Sequence, residues 1–73
     1  MGVRFSHHAK NKLRWINGTA QEAEAVVANK SEKDFDWRGN PRYRGFIAGK
    51  RCRVVVARDD PGFIITIHYR RRR

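Results

Sequence analysis

The sequence predicts an α+β fold, with an N-terminal helical hairpin packed on one face of a twisted three- to four-stranded antiparallel sheet. Two observations carry this prediction. Apolar residues recur at helical spacing in roughly the first thirty residues, whereas after Pro41 they alternate with polar residues, as is typical of strands. The 73 residues are enough for one domain. We expect it to span residues 1–69, with residues 70–73 forming a basic tail.

Both predicted helices have recognisable ends. Ser6 is the expected N-cap of "HHAKNKLRWI", and the "NG" dipeptide at 17 and 18 ends this helix. Thr19 and Glu22 form a T-x-x-E capping box in front of the second helix, "AQEAEAVVAN". The connection between the two helices is short, so the sequence predicts a tight helical hairpin.

The strands are predicted from β-branched residues bounded by turn signals. The expected strands are "RYRGFIA", "RCRVVVAR" and "FIITIHY", joined by turns at Gly49–Lys50 and at "DDPG". A short extended piece is expected at "DFDW" and a lead-in strand at "VRF".

Alternation assigns the side chains of the last two strands to two faces. The residues expected beneath the helices are Cys52, Val54, Val56, Phe63, Ile65, Ile67 and Tyr69. The residues expected on the uncovered face are Arg51, Arg53, Ile64, Thr66, His68 and Arg70. His68 is therefore predicted to lie in solvent beside arginine side chains.

The charge of the chain indicates a polyanionic partner. Lys and Arg number 17 against 7 Asp and Glu, and the formal net charge is +10. Residues 1–37 carry a net charge of +1 (six basic, five acidic), and residues 38–73 carry +9 (eleven basic, two acidic). Such self-repulsion destabilises a small domain unless a polyanion neutralises it, so nucleic acid is favoured over anionic lipid or an acidic protein. A basic surface without a specific partner is the remaining alternative.

The cysteine and histidine content excludes several kinds of site. Cys52 is the only cysteine, so an intrachain disulfide and a Cys/His zinc set are both excluded, in keeping with a reducing compartment. The adjacent His7 and His8 point apart on a helix, so we predict no metal site and no cofactor. "MGVRFSHHAK" contains no long apolar run, so we expect no signal peptide and no membrane insertion.

The histidines make metal-free RNA cleavage a candidate reaction. RNA carries its own nucleophile, the 2′-hydroxyl, so an enzyme needs only a base, an acid and cations around the phosphate. His68 and His8 are the candidate acid–base pair, and Thr66 and Tyr69 are candidates to orient substrate or water. His8 is expected in the first turn of a helix, where backbone N–H groups attract phosphate.

Arginine and aromatic residues are the candidates for binding nucleic acid. Trp37 is the candidate for stacking on a base, because polar and basic residues flank it. The planar guanidinium group of arginine, with several N–H donors, binds phosphate better than the ammonium group of lysine does. The candidate phosphate-binding residues are Lys12, Arg14, Arg44, Arg51, Arg53 and Arg70.

The order of the motifs resembles a family of small bacterial ribonuclease toxins. "SHHAKNKLRWINGTAQEAEAVVAN", "RYRGFIAGK" and "RVVVARDDPGFIITIHY" are similar to the RelE-like group, which also includes barnase-like and colicin-like members. The resemblance runs from Phe5 to Tyr69 and implies that RNA binds on the exposed side of the sheet. His8 matches the family's helix-start histidine, and Lys12 stands where a basic residue is usual. Thr66 and Tyr69 match its last strand.

The resemblance implies a cytoplasmic endoribonuclease, acting in the producing or a target bacterial cell, with an acidic antitoxin or immunity protein as partner. Ile16 departs from the family pattern, because a second arginine is expected near that position. Two alternatives stay open: a non-catalytic RNA- or DNA-binding module, and a basic protein-interaction domain for an acidic partner.

Overall fold

The structure, a computed structural model, describes residues 3–29 and 32–69, which form two helices and one sheet. In chain order the elements are β1 (Arg4–Phe5), α1 (His7–Trp15), α2 (Ala20–Asn29), β2 (Lys33–Phe35), β3 (Pro41–Ile47), β4 (Lys50–Ala57) and β5 (Asp60–Tyr69). The strand order in the sheet is β1-β5-β4-β3-β2. β1 runs parallel to β5, and the other neighbouring strands are antiparallel.

The chain has an α+β fold, but the predicted architecture is wrong in two respects. The sheet is five-stranded and mixed, not a three- to four-stranded antiparallel sheet, because β1 joins it as a parallel edge strand through the pairs Arg4↔Phe63 and Phe5↔Ile64. The helices also do not form a hairpin that packs as a unit. α1 packs mainly on β5 and α2 mainly on β3, so each helix contacts the sheet more than its neighbour.

Local interactions at both ends of α1 explain its length. The hydroxyl of Ser6 accepts a backbone N–H of the first turn at 3.0 Å, as expected of an N-cap. At the other end Asn17 has a positive φ of 61° and donates its N–H to the carbonyl of Arg14. Gly18 donates to the carbonyl of Leu13 at 2.9 Å, which completes a Schellman motif and turns the chain towards α2.

Glu22 connects α2 to the turn between β3 and β4. One carboxylate oxygen accepts the N–H of Thr19 at 3.0 Å, and the Thr19 hydroxyl accepts the N–H of Glu22 at 3.2 Å, which confirms the predicted capping box. The other carboxylate oxygen accepts the N–H of Ala48 at 3.0 Å. Ala48 and Gly49 have φ values of 55° and 76°, the pattern of a type I′ turn, so the turn lies one residue earlier than predicted.

One apolar core fills the space between the helices and one face of the sheet. Its buried residues are Ala9, Leu13, Ile16, Ala23, Val26, Tyr43, Ile47, Cys52, Val54, Val56, Ile64 and Ile67. Burial raises the pKa of the Cys52 thiol, so this side chain behaves as a small apolar group. Both helices and the three long strands contribute, which makes the core depend on contacts between distant parts of the chain.

β5 changes face at a bulge, and this corrects the predicted assignment of side chains. Val55 pairs with Thr66 and Val56 pairs with Ile64, so Ile65 is an extra residue in β5. Ile64 is 0% exposed and belongs to the core, whereas Ile65 lines a groove on the uncovered face. The predicted faces of Ile64 and Ile65 are therefore wrong, because strict alternation assumes that no residue is inserted.

β5 also begins earlier than predicted. It starts at Asp60, and the turn from β4 consists of Arg58 and Asp59, so Pro61 and Gly62 lie within the strand. The carboxylate of Asp60 accepts the N–H of Gly62 at 3.1 Å and forms an ion pair with Arg4 of the adjacent edge strand. No helix within the described ranges is long and apolar enough to cross a membrane.

Candidate functional site

A row of basic side chains crosses the uncovered face of the sheet. The strand register places Arg44 of β3 opposite Arg53 of β4, and Arg53 opposite His68 of β5. All three alternate with core residues and therefore point away from the helices. We call Arg44, Arg53 and His68 the central row. Two guanidinium groups placed directly opposite each other repel. Arg44 lies 3.7 Å from a carboxylate oxygen of Glu32 and 3.8 Å from one of Asp34, which offset part of this repulsion, and a bound anion would offset more.

Two grooves on the uncovered face meet at His68. The first, about 340 Å³ in volume, is lined by Arg44, Arg51, Cys52, Arg53 and His68. The second, about 380 Å³, is lined by Asp36, Trp37, Arg38, Asn40, Arg42, Val55, Ile65, Thr66 and His68. The imidazole thus borders both grooves, whose linings include five arginines as well as Asp36, Asn40 and Thr66.

The surroundings of His68 lower the pKa of its imidazole. Partial burial against the groove wall is the largest cause, followed by the positive charges of Arg53, Lys12, His8 and Arg42. The lowered pKa favours the neutral imidazole at pH 7, which is the form that can accept a proton. A phosphate bound beside it would raise its pKa again, which is the change that proton transfer in the bound state requires.

Ser6 fixes the start of α1 beside β5. Its backbone N–H donates to the carbonyl of Ile64 at 3.0 Å, and its hydroxyl donates to the carbonyl of Ile65, at the bulge. This anchor holds His8 in the first turn of α1 and Lys12 one turn later, on the same stripe. Lys12 and His8 both contribute to the lowered pKa of His68, so the α1 side of β5 is electrostatically coupled to the open face.

Tyr69 does not share the face of Thr66 and His68. It packs against the core, and its ring makes an edge-to-face contact with Trp15 of α1, with 6.3 Å between the ring centroids. The four candidate catalytic residues therefore have three different environments. Thr66 and His68 lie on the open face, and His8 lies in the first turn of α1, where its charge still acts on His68. Tyr69 packs against the core.

Thr66 presents a polar atom that the described part of the chain leaves unsatisfied. Its hydroxyl oxygen is buried and makes no hydrogen bond within residues 3–29 and 32–69. The residue lines the second groove beside His68. Because buried hydroxyl groups usually have a partner, this oxygen is a candidate for contact with a bound substrate or water.

The remaining predicted nucleic-acid-binding residues are distributed unevenly. Arg51 lines the first groove, with its guanidinium 6.0 Å from the centroid of the Phe46 ring. Arg14 is exposed on α1 but, two residues from Lys12, lies on a different stripe of the helix. Arg70 lies outside the described residues.

Sequence reasoning missed Arg42, which lines the second groove. Its Nε and Nη2 atoms each lie 2.9 Å from a carboxylate oxygen of Asp34, so the guanidinium is held by two hydrogen bonds. The hydrogen bonds from Arg42 lower the pKa of Asp34. Arg42 precedes Arg44 by two residues, and residues two apart in a strand point to the same face. The alternation that assigns Arg44 to the open face therefore also assigns Arg42 to it.

Trp37 stands on a turn that Asp36 organises. One carboxylate oxygen of Asp36 accepts the N–H of Arg38 at 2.9 Å and the N–H of Asn40 at 2.8 Å. Burial alone would raise the pKa of Asp36, but the hydrogen bonds from Asn40 and Arg38 together lower it. The turn leaves Trp37 86% exposed, with the Arg38 guanidinium 4.6 Å from its ring centroid.

The described residues contain no cluster of three or more His, Cys, Asp and Glu side chains that could hold a metal ion. Comparisons of the chain with models of protein families, with curated proteins and with solved structures find no match. The function therefore has to follow from the chemistry of the site.

Proposed function

We propose that this domain is a small metal-independent endoribonuclease that binds RNA across the uncovered face of its sheet. The central row carries the proposal, because it places a histidine with a lowered pKa next to two guanidinium groups in an open groove. The arginines offer contacts to phosphate, and the imidazole offers proton transfer.

The proposed reaction uses the 2′-hydroxyl of the RNA as nucleophile. Its oxygen attacks the adjacent phosphorus while neutral His68 accepts the hydroxyl proton. The bond from phosphorus to the 5′-oxygen breaks, and His8, as the general acid, donates a proton to that oxygen. The products are a 2′,3′-cyclic phosphate and a 5′-hydroxyl, and Arg44 and Arg53 stabilise the charge that develops on the phosphate. Each proton transfer contributes a factor of about 10²–10⁴ in rate.

The RelE-like resemblance and the inhibitory partner belong to the same proposal. A domain that cuts RNA is toxic in a cytoplasm unless it is covered, and a net charge of +10 favours an acidic antitoxin or immunity protein as the cover. Such a partner would compete with RNA for the central row.

A non-catalytic RNA-binding module is the second candidate, and the position of Tyr69 favours it. Tyr69 contacts Trp15 and faces the core side of the sheet, away from Thr66 and His68. A binding module needs the basic open face but needs no acid–base pair. A basic interaction domain for an acidic protein is the third candidate, and it needs no affinity for RNA.

Cleavage of single-stranded RNA in the presence of EDTA tests these candidates. We expect cyclic-phosphate ends from the wild type, and a rate lower by about 10²–10⁴-fold for His68→Ala, with RNA binding retained. His7→Ala is the matched control, because His7 is an exposed histidine of α1 outside the proposed site. Intact RNA with tight binding would support the binding module instead. Binding that does not change with salt would exclude nucleic acid as the main partner.

A further inference from the structure

We propose that the substrate is single-stranded RNA whose bases stack on two exposed aromatic rings, Trp37 and Phe46, at opposite ends of the open face. This inference rests on the proposed function, because it places the phosphate backbone between the rings, where it crosses the central row. It adds a base-binding role for Phe46 and narrows the substrate to unpaired RNA.

Trp37 meets the requirements of a stacking platform. Its ring is 86% exposed, lines the groove that contains His68, and is held on a hydrogen-bonded turn. The Arg38 guanidinium covers part of the ring at 4.6 Å from the centroid. A base that stacks on the free area of the ring would therefore also gain a nearby cation for its phosphate.

Phe46 repeats this arrangement at the other end of β3. It directly precedes the buried Ile47, so its ring points to the uncovered face, and it is 63% exposed. Its cross-strand partner is Arg51, whose guanidinium lies 6.0 Å from the ring centroid and also lines the first groove. Single exposed apolar side chains are common on protein surfaces. Two such rings, each paired with an arginine and both on the face of His68, indicate a surface for stacking bases.

The length of β3 sets the approximate separation of the two rings. Phe46 and Arg42, which lines the groove of Trp37, are four residues apart on β3, about 14 Å at the usual rise of a strand. Arg44, the first member of the central row, lies between them. A strand of RNA that reaches from one ring to the other therefore has to cross the row.

Base stacking excludes double-stranded RNA as the preferred ligand. In a duplex both faces of each internal base are covered by neighbouring bases, and proteins recognise such helices by shape and backbone contacts. Aromatic rings stack only on unpaired bases, and they tolerate every base because each has a π-face. We therefore expect broad sequence tolerance together with a requirement for unpaired RNA.

Binding of three short RNA probes tests the inference. The probes are an unpaired oligonucleotide with 2′-O-methyl groups, which block cleavage, an abasic oligonucleotide of the same length, and a duplex. We expect Trp37→Ala and Phe46→Ala each to weaken binding of the unpaired probe on the order of 5- to 100-fold. Binding of the abasic probe should not change, because it keeps the phosphates and lacks the bases. The duplex should bind more weakly than the unpaired probe.

Phe35→Ala is the matched control for Phe46→Ala. Phe35 is also exposed (56%) and also lies beneath a cation, Lys33, but it belongs to the edge strand β2 and points away from Asp34 and the open face. We expect its removal to leave RNA affinity unchanged. Equal losses for unpaired and abasic probes, or no loss in either variant, would overturn the stacking inference and leave the proposed function standing. Failure of the wild type to bind any probe would overturn both.

Discussion

The two faces of the sheet use neighbouring residues for opposite purposes. On the helix side Val54 and Ile67 pair across β4 and β5 and are completely buried. One residue away on each strand, Arg53 and His68 pair on the open side and belong to the central row. Because successive side chains point to opposite faces, the packing that fixes the apolar pair also fixes the spacing of the polar pair. In this molecule the core is therefore also the support of the site.

The largest expected difference between the two faces is in the loss of unfolding free energy when a side chain is removed on either side of the β5 bulge. Ile64→Ala removes a completely buried side chain and should lower the free energy of unfolding by about 2–5 kcal/mol. Ile65→Ala removes a partly exposed side chain and should cost roughly 1 kcal/mol. Urea denaturation of the two variants measures both values.

The size of the first effect matters for a domain this small. A chain of 73 residues has a typical unfolding free energy of about 4–11 kcal/mol. Ile64→Ala therefore removes a large share of the stability. Equal costs for the two variants would contradict the assignment of Ile64 and Ile65 to different faces. A larger cost for Ile65→Ala would mean that the faces are exchanged and that β5 has no bulge at this point.

Removal of one charge from the central row should weaken RNA binding by about 10-fold, the effect of removing one charge-assisted hydrogen bond. Arg53→Gln tests this, and the salt dependence of log K should become shallower by about 0.7 for each phosphate that the variant no longer neutralises. Filter binding or fluorescence anisotropy over a range of salt concentrations measures both quantities.

Lys10→Gln is the control for Arg53→Gln, because it changes the net charge equally on an exposed position of α1. We expect a much smaller decrease in affinity from this variant. If both variants lose affinity equally, binding depends on the overall charge of the protein and the central row has no special role.

A smaller effect is expected at the turn between β3 and β4, on the core side of the molecule. Ala48 has a left-handed φ of 55°, which disfavours alanine, whereas the sequence Asn-Gly suits a type I′ turn. Ala48→Asn should therefore raise the free energy of unfolding by about 0.5–1 kcal/mol without changing RNA affinity. In contrast, Gly49→Ala should destabilise the protein, since φ at Gly49 is 76°. A stabilising Gly49→Ala would contradict the turn assignment.

The smallest expected effect is on the pH dependence of the unfolding free energy, and its direction follows from the lowered pKa of His68. The unfolded state takes up a proton at the ordinary pKa, whereas the folded state resists protonation until a lower pH. The contribution of His68 to stability is therefore complete above its ordinary pKa and is lost as the pH falls through the lowered folded value. We expect His68→Gln to flatten the decrease in unfolding free energy as the pH falls below about 6.5, the ordinary pKa of histidine. An unchanged pH profile in this variant would contradict the assignment.

Sequence reasoning works best here where the determinants are local. The Ser6 cap, the turn at Asn17 and the box of Thr19 and Glu22 depend on residues a few positions apart, and all are found where expected. The parallel pairing of β1 with β5 joins Arg4 to Phe63, and nothing in either segment alone indicates that pairing. The five-stranded mixed sheet could therefore not be derived from local patterns.

The candidate site, like the fold, could be predicted only where local sequence patterns determine it. Alternation places Thr66 and His68 on the open face because both follow the bulge. The same alternation separates Tyr69 from His68, so the prediction of Tyr69 as a site residue conflicted with the face to which alternation assigned it. The polar and basic residues that flank Trp37 indicated that it is a stacking candidate. The Asp36 hydrogen bonds that hold its turn, however, depend on three-dimensional geometry.

The attachment of Ser6 to the bulge has a consequence for biosynthesis. The hydroxyl of Ser6 donates to a carbonyl 59 residues further along the chain, and β5 lies between β1 and β4. A nascent polypeptide that lacks β5 therefore lacks the main surface on which α1 packs and the groove around His68. Under the proposed function, the ribosome that makes this chain would not meet an assembled nuclease until translation of the domain is nearly finished.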